Sequence, residues 1–89
     1  MTKTWEIIQS ITQEISVLSD RLHNREMDAQ FFDKLVDGYR QMLLPEGERL
    51  TLYLYGEACI ERDNALDDVK NIRGNIQKRL QQIKILTNN

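Results

Sequence analysis

With 89 residues, the chain is long enough for one small hydrophobic core but not for two, so we expect residues 1–89 to form a single helical domain. Its composition, 40% hydrophobic and 29% charged, is too apolar for a disordered chain and is typical of a helical bundle. A net charge of −2 excludes a general electrostatic attraction to nucleic acids or to an anionic membrane surface.

The sequence contains no segment that would direct the chain to or across a membrane. No stretch reaches the roughly 20 apolar residues that a membrane span requires. Residues 1–6 lack the apolar core of a secretory signal, so we expect a cytoplasmic protein. A single cysteine, Cys59, excludes an intramolecular disulfide, and with one histidine in the chain it cannot complete a zinc site. We therefore expect a reducing compartment and no metal or other cofactor.

The clearest helical pattern runs from Trp5 to Leu22. Its apolar residues recur in alternating steps of three and four, which is the heptad spacing of a helix that packs against another helix. These residues are Ile8, Ile11, Ile15, Leu18 and Leu22. The polar stretch that follows predicts that this helix ends near His23 and Asn24.

A second helix is predicted before the proline, with Asp28 as a favourable N-cap residue. Its apolar and aromatic residues recur at helical spacing. They are Met27, Phe31, Phe32, Leu35, Val36, Tyr39, Met42 and Leu43. Because Leu44 precedes Pro45, its backbone is pushed out of the helical region, and Pro45–Gly47 is the one firm loop signal. We predict the main chain reversal at this loop.

The remaining residues, 48–86, carry a broadly heptad-like pattern that Arg62 and Arg73 interrupt. Either one long helix or two helices fit this pattern. A break near Asp63 and Asn64 is favoured, because the spacing of the polar residues there resembles a capping box.

Residues 50–55 also alternate in a way that is compatible with a short strand. The chain offers no second strand for it to pair with, so we retain the helical interpretation. The predicted fold class is all-α: a small antiparallel helical bundle of three or four helices, with dimerisation as a way of completing it.

Nucleophiles and bases are too isolated to predict an active site. His23 is the one side chain that normally titrates near neutral pH, and its neighbours include no serine or cysteine in a triad-like relation. Cys59 lies on an apolar pattern, where a lone cysteine is typically a small core residue. The glycines are isolated and cannot form a phosphate-binding loop. We therefore expect that the protein is not an enzyme.

Residues 69–89 form the one basic segment of the chain. They contain no acidic residue, and their local net charge of +5 comes from Lys70, Arg73, Lys78, Arg79 and Lys84. At about 100° per residue, these side chains do not form a single stripe that could follow a phosphate backbone. Nucleic acid is therefore not the expected partner, and a nucleic-acid-binding regulator that uses residues 70–84 is kept as an alternative.

Aromatic residues and arginines predict a protein-binding surface. These residue types dominate the energetics of protein interfaces, and neighbours such as Phe31 and Phe32 cannot all face one core. The candidate protein-binding residues are Phe32, Arg49, Tyr53, Tyr55 and Arg62. The same side chains would also suit the core of a homodimer, and the sequence leaves both interpretations open.

Three groups of residues carry a family resemblance. Thr4–Ile7 opens the chain, the pair Phe31–Phe32 follows, and Tyr55–Glu57 precedes a final amphipathic helix. In this order they resemble a family of small uncharacterised helical proteins carried by pathogenicity islands and prophages of Gram-positive bacteria. The resemblance implies a mobile-element context, in which small acidic helical proteins commonly bind and inhibit, or redirect, a host or rival-phage protein.

The leading hypothesis is a non-enzymatic protein-binding regulator or inhibitor, encoded by a phage or mobile element, that acts on a host or phage protein. A cytoplasmic bacteriocin immunity protein is a further alternative, because that class also uses small helical bundles.

Overall fold

Two long helices make up the part of the chain that the structure describes. The computed structural model describes residues 2–43 and 49–88, in which α1 spans Thr2–Leu43 and α2 spans Arg49–Thr87. These ranges contain no strand. The helices pack side by side as an antiparallel hairpin, a rod of 68 × 16 × 14 Å. The all-α class is confirmed, but the predicted bundle of three or four helices is wrong, because two of the expected helix ends do not exist.

The first of these ends was predicted at His23 and Asn24, where α1 continues without a break. This stretch is polar, but it contains neither proline nor glycine, so nothing in the backbone stops the helix. The heptad spacing also passes through it, from Leu22 through Arg25 to Ala29. The prediction is wrong because the polar residues at this point do not interrupt the heptad spacing, in which Arg25 occupies a position.

The second expected end, near Asp63 and Asn64, lies in the interior of α2. Here too the heptad spacing is carried by residues that a search for large apolar side chains overlooks, Arg62 and Ala65. The capping-box spacing therefore caps no helix. The N-cap predicted at Asp28 is wrong for the same reason, because that residue lies inside α1.

Residues 50–55 are helical, which confirms the helical interpretation over a short strand. A strand needs hydrogen-bonding partners from a neighbouring strand, whereas a helix satisfies its own backbone. The chain reversal predicted at Pro45–Gly47 lies outside the described residues. On either side of it, α1 ends at Leu43 and α2 begins at Arg49.

The two helices pack along a single seam. All of the buried residues and most of the half-buried ones recur in strictly alternating steps of three and four, as in an antiparallel coiled coil. The seam of α1 comprises Ile8, Ile11, Ile15, Leu18, Leu22, Arg25, Ala29, Phe32, Val36, Tyr39 and Leu43. The seam of α2 comprises Thr51, Tyr55, Ala58, Arg62, Ala65, Val69, Ile72, Ile76, Arg79, Ile83 and Leu86. The apolar pattern predicted for the first helix is thus confirmed.

The seam is thin and contains few large buried side chains. Within residues 2–43 and 49–88, eight hydrophobic residues are buried, and three of them are alanines: Ala29, Ala58 and Ala65. Among the described residues, Val36 alone has a large side chain that is fully buried. Small side chains let the two helix backbones approach closely, but they bury little apolar surface. The hairpin therefore has a core only one layer deep.

The hairpin is much more extended than a compact domain of its length. Its radius of gyration is 19.8 Å, whereas a compact chain of this size would have about 12 Å. Its accessible surface is 7099 Å², against about 5,400 Å² for a compact monomer of the same mass. Because each helix covers only one side of the other, thirteen large hydrophobic side chains in the described part of the chain stay exposed.

Candidate protein-binding surfaces

Each of the three arginines in the seam reaches out to a carboxylate on the other helix. The guanidinium groups lie at different heights along the rod, so a shift of one helix against the other would break all three pairs together. Charged pairs of this kind specify the register of a coiled coil more than they stabilise it. The pairs are Arg25–Asp68 at 2.8 Å, Arg79–Glu14 at 2.9 Å and Arg62–Asp33 at 3.6 Å.

Two of the arginines that join the helices, Arg25 and Arg62, have raised pKa values in the folded protein. A hydrogen bond to Asp28 is the main reason that the pKa of Arg25 is raised above its ordinary value, against an opposing effect of burial. Burial lowers the pKa of Arg62, but the hydrogen bond and charge of Asp63 outweigh it and the pKa is raised. A raised pKa means that Arg25 and Arg62 keep their positive charge to a higher pH in the folded protein than in the unfolded chain.

The structure separates the predicted binding residues into two groups. Phe32, Tyr55 and Arg62 are half-buried in the seam, where they help to join the two helices. A hydrogen bond with Tyr55 is also the main reason that the pKa of Arg40, on the opposite helix, is raised. By contrast, Arg49 and Tyr53 are exposed. A binding role for all five residues stays a prediction, but only the second group lies fully on the surface.

Arg49 and Tyr53 belong to an exposed face at the beginning of α2, which we call the α2 outer patch. It comprises Arg49, Leu52, Tyr53 and Ile60. Arg49, Tyr53 and Ile60 share one helix face, because they are separated by four and seven residues. Leu52 is 59%, Tyr53 63% and Ile60 55% exposed. Gly56 lies between them and has no atoms within 4 Å of the place where a side chain would begin, so a partner could approach the backbone closely there.

A second exposed apolar series follows one side of α1, next to the seam. Its positions alternate in steps of three and four from Ile7 to Met42, and we call it the α1 flank. Its apolar members are Ile7, Val17, Phe31, Met42 and the half-buried Leu35, its central members are Arg21, Asn24 and Asp28, and Ser10, Glu14 and Gly38 complete it. At the end of the rod where α1 begins and α2 ends, Ile7 lines a shallow apolar groove together with Ile11, Ile85 and Leu86.

Sequence reasoning identified only part of these surfaces. The Phe31 ring packs edge-on against Phe32, with 5.4 Å between the ring centres, so one ring belongs to the seam and the other to the α1 flank. The apolar spacing of residues 48–86 does not distinguish Leu52 and Ile60, which are exposed, from residues of the seam. The sequence carries two interleaved heptad series, one buried and one exposed. Apolar residue type alone does not separate them, and the buried series becomes clear once Arg25 and Arg62 are placed in it.

The basic segment is partly neutralised within the hairpin. Arg73 Nη2 lies 3.2 Å from Glu26 Oε1, and Arg79 Nε lies 2.9 Å from Glu14 Oε2. Both pairs cross from α2 to α1. Two of the five basic side chains are therefore already engaged in ion pairs, which reduces the positive charge that a phosphate backbone could meet.

The side chains considered for catalysis do not assemble into a site. His23 is exposed on α1, and Cys59 is a half-buried free thiol on α2. Within residues 2–43 and 49–88, no group of three or more potential ligands is placed to hold a metal ion. The chemistry of the described surface is therefore that of exposed apolar, aromatic and charged helix faces.

Comparison of the chain with protein-family models, with curated proteins and with solved structures finds no significant match. The resemblance to proteins of mobile elements therefore stays a prediction. Neither of the described helices is long and apolar enough to cross a membrane.

Proposed function

We propose that the protein is a non-enzymatic, protein-binding regulator or inhibitor that acts by packing a helix face onto a partner protein. The observation that carries the proposal is the α2 outer patch. An exposed face that combines a tyrosine, aliphatic side chains and an arginine has the composition of interface hot spots. Leaving such a face in water is unfavourable, so contiguous exposed apolar surface commonly marks an interaction site.

The proposed binding mode is the docking of a preformed helix into an apolar groove or against a helix of the partner. Because the seam already orders α2, binding does not require the patch to fold, which lowers the entropic cost of association. Tyr53 and Ile60 would fill pockets of the partner, and Arg49 would pair with a carboxylate at the rim. The resemblance to proteins of prophages and pathogenicity islands supports a host or phage protein as the target.

The α2 outer patch can be tested with a variant that leaves the seam intact. Tagged wild-type protein and Tyr53→Ala/Ile60→Ala would each be used to capture partners from a Gram-positive bacterial lysate, with and without phage infection. We expect the wild type to retain a protein in stoichiometric amount, and the double variant to recover at least about tenfold less, because each truncated anchor costs on the order of 1 kcal/mol or more. Quantitative mass spectrometry measures the recovery.

Gln81→Ala is the matched control, since Gln81 is exposed and lies at the same heptad position as Tyr53 and Ile60. This variant should capture as much partner as the wild type. Circular dichroism should show equal helicity for all three proteins. Equal recovery by the wild type and the double variant, or capture of no stoichiometric protein by the wild type, would contradict the proposal.

A further inference from the structure

The exposed residues of the α1 flank are arranged symmetrically about Asn24. Val17 and Phe31 each lie seven residues from Asn24, and they are 60% and 58% exposed. Ile7 and Met42 lie 17 and 18 residues from it on opposite sides. A two-fold axis through Asn24, perpendicular to the rod, would therefore place Val17 of one copy opposite Phe31 of the other, and Ile7 opposite Met42. Apart from Leu35, which this axis places opposite Glu14, residues of matching polarity therefore face each other, as an isologous interface requires.

The charges nearest to this centre are also complementary. Arg21 and Asp28 lie three and four residues from Asn24 on opposite sides. The same two-fold axis brings Arg21 of each copy opposite Asp28 of the other, whereas a parallel arrangement would bring like charges together. Opposite charges at matched positions favour one orientation of two helices and disfavour the alternative.

The available surface is large enough for a stable dimer. The α1 flank runs for about 50 Å along the helix, and the rod is 16 Å wide in its second dimension. Contact over this length and the full width of the rod would cover at most about 800 Å² on each copy, which reaches the area buried by each partner in a standard specific interface.

We propose that two copies of the chain pair in antiparallel orientation through the α1 flank, about a two-fold axis at Asn24, and form a four-helix assembly. Val17 and Phe31 of the two copies make its apolar contacts on either side of the axis, and Arg21 and Asp28 fix its orientation. Phe31 is already held edge-on by Phe32, so little side-chain freedom is lost on association. The dimer leaves the α2 outer patch outside the interface and does not depend on the proposed partner.

Two double variants with the same positions but different charges test this arrangement. In Val17→Lys/Phe31→Lys, the antiparallel dimer would bring lysines opposite lysines. In Val17→Lys/Phe31→Glu, the same dimer would bring each lysine opposite a glutamate. Sedimentation equilibrium of the purified full chain should show a wild-type dimer of twice the 10.5 kDa chain mass. We expect Val17→Lys/Phe31→Lys to be monomeric. Val17→Lys/Phe31→Glu should dimerise at least about tenfold more tightly.

Ser16→Lys/Gln30→Lys is the control, because both residues are exposed, adjoin the altered positions and have the same spacing. This variant should dimerise like the wild type, and all variants should keep wild-type helicity. A monomeric wild type would overturn the proposal. Equal dimer affinities of the two charge variants would also overturn it. A dimer that survives Val17→Lys/Phe31→Lys but is lost in Leu66→Glu would assign the interface to α2 instead.

Discussion

Arginines within the seam carry much of the specificity of this hairpin. Arg25 lies where a coiled coil normally has an apolar side chain, and it reaches Asp68 on the other helix and Asp28 on its own. Among the described residues, its Nε atom is buried without a hydrogen-bond partner. A buried nitrogen without a partner lowers the free energy of unfolding, because it is desolvated. The arginine instead contributes specificity, since it disfavours other registers of the two helices.

Replacing Arg25 by leucine should therefore stabilise the hairpin. We expect Arg25→Leu to raise the free energy of unfolding by about 1 kcal/mol, because an apolar side chain joins the seam and the unsatisfied Nε is removed. The solvated carboxylate of Asp68 loses little. Urea denaturation measures the change, with Lys34→Leu at an exposed position of the same helix as the control. Destabilisation by more than about 1 kcal/mol would show that the ion pairs outweigh the desolvation of the arginine.

The helices show how far the sequence predicts this structure. The all-α class and the apolar series from Ile8 to Leu22 follow directly from heptad spacing. The number of helices does not, because the heptad is continued by Arg25, Arg62 and Ala65, which do not resemble core residues. Conversely, Leu66 is apolar but exposed, so its residue type does not show on which side of the helix it lies. The pattern of one helix does not give the register in which it packs against the other helix, because that register depends on both segments together.

The continuity of α1 can be tested where its end was expected. His23 is exposed inside the helix, so a proline there should remove a backbone hydrogen bond and clash with the preceding turn, at a cost of about 3 kcal/mol or more. His23→Ala removes the same side chain and should change stability by less than about 0.5 kcal/mol. Thermal unfolding monitored by circular dichroism compares the stabilities of the two variants. If both variants were equally stable, the helix would have to be interrupted at this position.

The whole molecule is a rod whose faces are available along its full length. A length of 68 Å with a core one layer deep leaves each helix with an exposed side. Such a shape offers two separate interaction surfaces, the α1 flank and the α2 outer patch, without requiring them to compete. Self-association and partner binding can therefore be examined independently.

The mode of association predicts the dimensions of the dimer. Copies that pair side by side about Asn24 should keep the 68 Å length of one hairpin while the mass doubles. Small-angle X-ray scattering of the wild type and of Val17→Lys/Phe31→Lys measures both quantities. We expect similar maximum dimensions and a wider cross-section for the wild type. A wild-type particle much longer than the variant would instead indicate end-to-end contact.

The antiparallel seam also orders the events of folding and opening. The residues that pair across it grow more distant in sequence along the rod: Glu26 and Arg73 are 47 residues apart, and Glu14 and Arg79 are 65 apart. Closing a longer loop costs more entropy, so contacts near residues 43 and 49 form most readily and shorten the loop for those that follow. We therefore expect fraying to begin at the Ile7 end of the rod, away from the face that carries Tyr53.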